Sequence, residues 1–462
     1  MPSVSPHSQR DGLRAGGVVV ANTVPLVGVL TLGWNAHALL VLYWVEGLTT
    51  VVLAAAKALF AERGSPGVGA VEPLHELREK RGGWRPLAGL PQVYPRNIPF
   101  AASILGGCAV TVLPLSVLYW ATTDAVVRPS LGLLVSVAAL VTAQVADLAT
   151  DYLAKEKYTE VSARAVLSEP ALLGLVVFML GLVVVAGDQT AGLTVLGGVV
   201  VAKTAVSASR IVAGQMDLPV PSVFDDLADD DLVDPLPVVE TPDGPVRERV
   251  AVTPTPVLLG SLPLVALGFL HRSTFVVLVG LVFAALAGGP VWFVPAVTFF
   301  LAVASVRIGS YYLRYGTIEY RRYDQHLVAY DTALGAAQWS VPVASATFSV
   351  RNDVLDRLLG TGTLEISGGQ PGDRDVQFGP VADLDDAVAT LDLPVTETRR
   401  PERDAAVVVA AFLLALSFLA VPVGLAVSPR MDNAQLVGLA VALGPLFMLP
   451  VGLLCWAALR RI

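Results

Sequence analysis

Residues 131–153 read LGLLVSVAALVTAQVADLATDYL, and this stretch decides the class of protein. Only Asp147 and Asp151 carry charge within it. A helix that crosses the hydrocarbon core of a bilayer needs about 20 consecutive, mostly apolar residues. The stretch therefore predicts a membrane-spanning helix.

The composition of the whole chain agrees with this prediction. Hydrophobic residues make up 54% of the 462 positions, charged residues make up 15%, and the mean hydropathy is +0.65. Soluble domains carry about 25% charged residues. These values exclude a disordered chain, a nucleic-acid binder with a broad basic face, and a conventional soluble enzyme. Cys108 and Cys455 lie in apolar runs without metal-ligand spacing, so we expect no metal site and no cofactor.

Further apolar blocks resemble 131–153, and together they predict a mainly α, polytopic membrane helical bundle of about 10–11 transmembrane helices. Basic residues alternate across the first six blocks, which predicts a cytoplasmic N-terminus. Whether residues 254–313 cross the membrane two or three times stays open. The other blocks are 15–33, 39–60, 98–120, 171–187, 192–213, 257–270, 275–286, 291–308, 405–427 and 436–459.

The net charge of the chain is −8, and the uneven distribution of its acidic residues divides the chain into parts. Residues 211–246 contain nine acidic residues and neither Lys nor Arg, which is typical of an extended or mobile linker. The predicted domains are a six-helix transmembrane domain (1–213), an acidic Pro-rich cytoplasmic linker (214–253), a transmembrane segment (254–313), a β domain (314–393) and a C-terminal transmembrane hairpin (394–462).

The residues from 314 to 393 have the texture of short strands. Residues 317–321 and 327–330 alternate with period two on either side of a polar break, which predicts a β-hairpin. Asp383 is a candidate N-cap for a helix over 384–391. The pattern predicts a small β-barrel capped by that helix. Further strands are expected at 338–343, 347–351, 362–366 and 375–378.

Three segments of this region resemble a known family. They are Arg314-Tyr315-Gly316-Thr317-Ile318-Glu319-Tyr320, Trp339-Ser340-Val341-Pro342, and Leu358-Leu359-Gly360-Thr361-Gly362-Thr363-Leu364-Glu365-Ile366. The pattern is similar to the bacterial PH-like domain of the YdbS type, in which a helical hairpin precedes a cytoplasmic β-barrel. Residues 314–393 carry six basic and twelve acidic residues. That balance opposes phosphoinositide headgroups and favours a protein partner.

A second resemblance covers about the first 210 residues. Gly33-Trp34-Asn35-Ala36 and Leu42-Tyr43-Trp44-Val45-Glu46 resemble the opening of the DUF6498 type of membrane proteins. The function of that family is unknown, so the resemblance implies no activity.

Ionisable residues inside the predicted spans are candidates for a polar site, because each needs a partner or a watery cavity in the bilayer. Glu46, Asp147, Asp151 and Lys203 form this candidate intramembrane site. A carboxylate paired with Lys203 would lower the free-energy cost of placing both charges in the bilayer. The set predicts either a cavity for a proton, an ion or a substrate, or an ion pair that fixes helix packing. Asp151 is expected near the cytoplasmic end, where it would snorkel.

These features favour a multi-pass plasma-membrane protein without enzymatic activity. We expect a scaffold or envelope component, with the lipid bilayer and a protein at the PH-like domain as partners and no nucleic acid. The linker, the PH-like domain and the C-terminus are expected to be cytoplasmic. The alternative is an ion- or proton-coupled transporter that uses the intramembrane carboxylates. A membrane enzyme of unknown chemistry is the third interpretation.

Overall fold

A computed structural model describes the chain in separate stretches, which fall into two compact units. One unit comprises Met1–Arg78 with Arg85–Leu236, and the other comprises Glu79–Trp84 with Pro237–Ile462. Each unit is considered by itself below. The described residues are 27, 36–65, 74–109, 131–167, 238–270, 274, 277, 278, 280, 281, 293–351, 356, 359–368, 375–399, 404–426, 451, 452, 454, 455 and 458.

The first unit contains two long apolar helices. Helix α1 spans Ala36–Phe60, and helix α2 spans Leu131–Asp147 before it continues as a π-helical segment, Leu148–Leu153. Small side chains on α1 allow close packing, with Ala54 and Ala58 in contact with a cluster that includes Phe100. The Asn97 amide donates to the Ala61 carbonyl at 2.7 Å, which satisfies a backbone acceptor just beyond the end of α1.

Helix α2 differs from the core helix of a soluble protein. None of its residues is buried, although its composition is almost entirely apolar. Leu131, Leu134 and Val135 expose more than half of their surface. Because water disfavours so much apolar surface, this helix needs lipid or protein around it.

The prediction of a polytopic bundle of ten or eleven transmembrane helices is wrong. Among the residues that the structure describes, Val41–Phe60 and Leu131–Leu153 are the two helices long and apolar enough to cross a membrane. At one of the predicted spans the reason is visible, because a span requires one continuous helix. The apolar block near 257–270 forms two short helices, α3 (Pro254–Gly260) and α4 (Leu262–Leu270). The predicted spans at 171–187 and 192–213 lie outside the described residues.

The second unit is built around two four-stranded sheets. The first has the order β1-β2-β3-β4 and is antiparallel; the second has the order β7-β6-β5-β8, in which β8 pairs parallel to β5. The strands are β1 (Glu248–Ala251), β2 (Ile318–Arg322), β3 (His326–Asp331), β4 (Ala336–Pro342), β5 (Thr347–Arg351), β6 (Gly362–Ser367), β7 (Val376–Val381) and β8 (Val395–Arg399).

Three further helices of this unit lie within the described residues. They are α5 (Phe293–Tyr311), α6 (Leu384–Thr390) and α7 (Ala405–Ala426). Helix α5 leads through a π-helical turn, Tyr312–Gly316, directly into β2. We call strands β1–β8 together with α6 the β unit.

The two sheets share one hydrophobic core, but they do not form the predicted β-barrel. Tyr320 on β2 and Phe378 on β7 lie 4.0 Å apart between ring centroids, so the two sheets face each other. Phe348, Leu364 and Leu391 are fully buried in the same cluster. In the described strands no ladder joins β4 to β5, and the chain turns from one sheet into the other after Pro342. Two packed sheets therefore replace a closed barrel.

Several local predictions within the β unit are confirmed. The hairpin expected near 317–330 is the β2–β3 pair, in which Tyr320 lies opposite Ala329. The Asp383 carboxylate accepts the backbone N–H of Asp386 at 3.0 Å and caps α6. At Gly362 a Cβ atom would lie 2.4 Å from the Leu384 Cβ, so this glycine lets β6 approach α6.

Candidate functional site

The predicted intramembrane residues lie on α1, on α2 and in the turn that follows α2. Asp147, the last residue of α2, meets Lys57 in the last turn of α1, with 3.2 Å between Oδ2 and Nζ. Glu46 lies on α1 and is half-buried. Lys203 lies outside the described residues. Lys57 is thus the observed partner of Asp147, and sequence reasoning did not pair these two residues.

A small polar stripe connects the same two helices one turn further into them. The Gln144 amide donates to the Thr50 hydroxyl at 3.1 Å and to the Glu46 carbonyl at 3.5 Å. The Gln144 carbonyl oxygen is buried and accepts no hydrogen bond from the described residues. Thr50 and Gln144 line a pocket of about 390 Å³ together with Lys57 and Asp147. The Lys57–Asp147 pair at this pocket is internally neutralised, which favours the packing interpretation of Asp147 over ion binding.

Asp151 follows α2 and faces basic residues close by in the chain. Its two carboxylate oxygens each accept from a lysine ammonium at 2.5 Å, one from Lys155 and one from Lys157. Both lysines are exposed, with 64% and 45% of their side-chain surface accessible. The described partners of this carboxylate are therefore local, four and six residues further along the chain.

The most completely buried ion pair of the described chain lies in the second unit. Lys80 and Asp331 are 2.6 Å apart, and their side chains are 5% and 0% exposed. Burial lowers the pKa of the Lys80 ammonium because it loses water, while the nearby Asp331 carboxylate acts in the opposite direction. Lys80 belongs to the six residues Glu79–Trp84, which we call the inserted segment.

Asp331 ends β3 and serves as an acceptor for four donors. Its Oδ1 accepts the backbone N–H groups of Ala333 and Leu334 at 3.1 and 3.0 Å. Its Oδ2 accepts the Thr317 hydroxyl at 2.9 Å in addition to Lys80. Three of the four donors come from the β2–β4 region itself, so the turn after β3 holds the carboxylate in place.

Gln338 on β4 binds the next residue of the inserted segment. Its side-chain amide accepts the Arg81 backbone N–H and donates to the Arg81 carbonyl, both at 2.9 Å. The Arg81 guanidinium donates to the Gln338 backbone carbonyl at 2.6 Å. Gln338 thus contacts Arg81 through both its side chain and its main chain. No cluster of three metal-ligating side chains occurs among the described residues.

Sequence reasoning did not identify Lys80, Asp331 or Gln338 as a site. In the sequence, Lys80 and Arg81 are two of several basic residues between the apolar blocks 39–60 and 98–120, and Asp331 is one of the twelve acidic residues of 314–393. An Asp at the end of a strand, before a turn, signals local capping of the turn. Its long-range partner stands 251 positions away and leaves no periodic trace in the sequence.

Strand β1 also falls where the sequence suggested a linker. Glu248–Ala251 pairs antiparallel with β2, with Val250 opposite Tyr320. This placement brings a strand from before helices α3–α5 into the sheet whose remaining strands follow them. The alternation that would reveal it spans four residues only, next to a long acidic stretch.

Comparison with known proteins concerns the N-terminal part of the chain. No curated protein and no solved structure matches the chain. Residues 5–215 match the model of DUF6498, a family of unknown function. The inserted segment therefore lies, in sequence, within the part that matches this family. The resemblance of the N-terminal half to DUF6498 is confirmed.

Proposed function

We propose that this protein is a non-enzymatic, membrane-anchored scaffold whose β unit makes protein contacts. The observation that carries the proposal is the binding of the inserted segment by Asp331 and Gln338. The buried polar groups of this face hold a piece of polypeptide through side-chain and main-chain contacts. Direct hydrogen bonds between polar groups are a regular part of protein–protein interfaces.

Membrane anchoring rests on α1 and α2. Both pass the length and hydropathy required of a span, and none of the residues of α2 is buried in the isolated chain. An Arg in the middle of a spanning helix costs about 3 kcal/mol of insertion free energy. Leu134→Arg should therefore release much of the protein from membranes washed with alkaline carbonate, whereas Leu134→Ala should remain bound. Wild-type protein that leaves the membrane in carbonate would contradict the anchoring.

We propose further that the β unit is a relative of the YdbS-type PH-like domain and faces the cytoplasm. Two features support the relationship: the glycine-rich entry into β6, where Gly360 has a φ of +66°, and the helix α6 that packs on Gly362. The parallel strand β8 departs from a simple antiparallel arrangement. The net charge of −6 over residues 314–393, six basic against twelve acidic residues, supports protein contact over anionic lipid headgroups.

Sidedness can be tested with a cysteine placed on an exposed loop of the β unit. Ser345 is exposed after β4, so Ser345→Cys in a Cys108→Ala, Cys455→Ala background provides one reactive thiol. A membrane-impermeant maleimide should label it only after intact cells are permeabilised. Labelling of intact cells to the same extent would place the β unit outside.

The scaffold proposal itself is tested by cross-linking in the native cells. Wild-type chain and a variant that lacks residues 314–393 are compared after in-cell cross-linking and mass spectrometry. At least one protein should be cross-linked to the wild-type chain alone. Identical lists from two equally abundant chains would contradict a protein-contact role for the β unit.

A further inference from the structure

Three consecutive residues of the inserted segment are each contacted by a different kind of group. Lys80 meets a buried carboxylate, Arg81 meets an amide that pairs with its backbone, and Gly82 packs where no side chain fits. Contacts that differ from residue to residue select for sequence, whereas a general apolar contact does not. The arrangement therefore has the properties of a binding site for a short peptide.

The site is selective at position 80 because the carboxylate that binds this residue is held in place by other groups. Asp331 is fully buried, and three donors of the surrounding strands and turn hold its carboxylate whether or not Lys80 is present. A buried, fixed carboxylate favours a long side chain with a compact cation. An apolar residue at position 80 would leave that charge without a counter-ion.

The second position fixes the direction and register of the peptide. The Gln338 amide makes a reciprocal pair of hydrogen bonds with the N–H and C=O of Arg81, as a neighbouring strand would. The Arg81 guanidinium adds a charge-assisted bond to the Gln338 carbonyl. Together these bonds would be lost if the peptide shifted by one residue.

The third position accepts glycine for two independent reasons. Gly82 has a φ of +83°, in the left-handed region that side chains disfavour. A Cβ atom there would also lie 2.7 Å from the Leu334 carbonyl oxygen and 2.8 Å from the Ala336 Cβ. Any other residue would have to move the backbone of the turn after β3.

We propose that this face of the β unit is a binding site specific for the sequence Lys-Arg-Gly, and that residues 80–82 of this chain are its exchangeable occupant. The proposal deepens the scaffold function and rests on it, since it names the chemistry that the β unit recognises. The occupant lies in the inserted segment of six residues, which belongs to the second unit. The residues on either side of that segment, Arg78 and Arg85, belong to the first unit. A tethered segment of this kind has an effective concentration of about a millimolar, so it excludes weaker free competitors.

The experiment compares two full-length proteins in detergent. A fluorescein-labelled peptide of residues 77–86, LREKRGGWRP, is titrated against the wild-type chain and against a Lys80→Ala, Gly82→Ala variant. Because the variant's own segment no longer fits, its site is vacant. Fluorescence anisotropy should give at least tenfold tighter binding to the variant than to the wild-type chain.

Two matched controls test specificity. Asp331→Asn, added to the vacated variant, should weaken peptide binding at least tenfold. A peptide of the same charge with the central residues reversed to Gly-Arg-Lys should bind at least tenfold more weakly. Equal affinity for the wild-type and vacated chains overturns the proposal. So does an affinity that is unchanged by Asp331→Asn or by reversal of the central residues of the peptide.

A vacated variant that does not fold is replaced by Gly82→Ala alone, which leaves Lys80 and Asp331 unsubstituted, displaces the inserted segment through the contact with the Leu334 carbonyl, and carries the same expectation. Circular dichroism and monodisperse elution establish folding in each case. The cross-linking experiment above separates the two levels of inference. Partners that depend on residues 314–393 without any peptide binding would overturn the Lys-Arg-Gly site alone, and an unchanged partner list would contradict the scaffold.

Discussion

Two of the Lys–Asp pairs in the described residues join distant parts of the chain, and they lie in opposite surroundings. Lys57 and Asp147 join two apolar helices at 3.2 Å, with side chains 26% and 59% exposed. Lys80 and Asp331 join the inserted segment to β3 at 2.6 Å, with side chains 5% and 0% exposed. An exposed pair gains little because water and salt screen it, and removal of one partner leaves the other hydrated. A buried partner left alone has no such relief. The comparison predicts that removal of one partner costs more free energy of unfolding at the buried pair than at the exposed pair.

The largest expected effect comes from removing the buried carboxylate. Asp331→Ala leaves Lys80 without a counter-ion and three further donors without an acceptor, so the free energy of unfolding of the β unit should fall by about 3–5 kcal/mol. Denaturant titration read by hydrogen–deuterium exchange of peptides from β3 and β4 measures it.

Asp324→Ala is the matched control for that change. Asp324 lies in the turn before β3 and pairs with Arg247, with both side chains more than 60% exposed. Its replacement should cost less than about 1 kcal/mol. Equal losses for the two variants would show that burial does not distinguish these carboxylates.

Gly82→Ala sharpens the comparison by moving the inserted segment while both charges remain. The new Cβ would meet the Leu334 carbonyl and require a strained backbone, so we expect a loss of about 2–3 kcal/mol in the free energy of unfolding. Gly335→Ala separates the two causes. Gly335 has a φ of +66° but nothing within 4 Å of its Cβ position, so only the conformational cost of about 1 kcal/mol should appear. Equal losses would deny the close contact at Gly82.

Tyr320 tests whether a buried neutral group behaves differently from the buried pair. Its hydroxyl accepts the Gly379 N–H at 2.7 Å, so Tyr320→Phe should cost about 1 kcal/mol at pH 7. Burial raises the pKa of the Tyr320 phenol above its usual 10.0; the Gly379 hydrogen bond acts the other way, and Tyr315 and Tyr311 add to the rise. The stabilisation is therefore complete below pH 10 and is lost as the pH rises further.

The expected signature is a difference between pH profiles. Wild-type protein should lose stability above pH 10, and Tyr320→Phe should lose less, as followed by urea titrations from pH 8 to 11. Tyr330→Phe removes a phenol from a half-buried position on the adjacent strand and is the matched control for the loss of a hydroxyl at pH 7. Parallel profiles for wild type and Tyr320→Phe would contradict the role of burial at this phenol.

Local features of the fold followed from the sequence, and long-range ones did not. Alternation revealed the β2–β3 hairpin, and Asp383 revealed the start of α6, because both signals lie within a few residues. An acid in an apolar run drew attention to Asp147, yet its observed partner is Lys57, 90 positions earlier.

The predicted number of spans was wrong, and the site on the β unit was missed, for a related reason. Apolar composition does not distinguish one long helix from two short ones, and the block at 254–270 is divided at Ser261. Nothing near Asp331 in the sequence announces Lys80, since the pairing depends on how the chain folds back. A site made by two distant segments becomes visible only when the fold brings them together.

The smallest effect is expected at the exposed pair on α1 and α2. A double-mutant cycle with Lys57→Ala and Asp147→Ala, measured by denaturant titration in detergent, should give a coupling free energy of about 0.6 kcal/mol. Lys155→Ala with Asp151→Ala provides a control pair that is also exposed and should give about 0.5 kcal/mol. A coupling near 3 kcal/mol for Lys57 and Asp147 alone would mean that lipid or neighbouring chain dehydrates this pair in the folded protein. Exposure measured on the isolated chain would then no longer separate it from Lys80 and Asp331, and the polar pocket at Gln144 would regain its interest as a site inside the membrane.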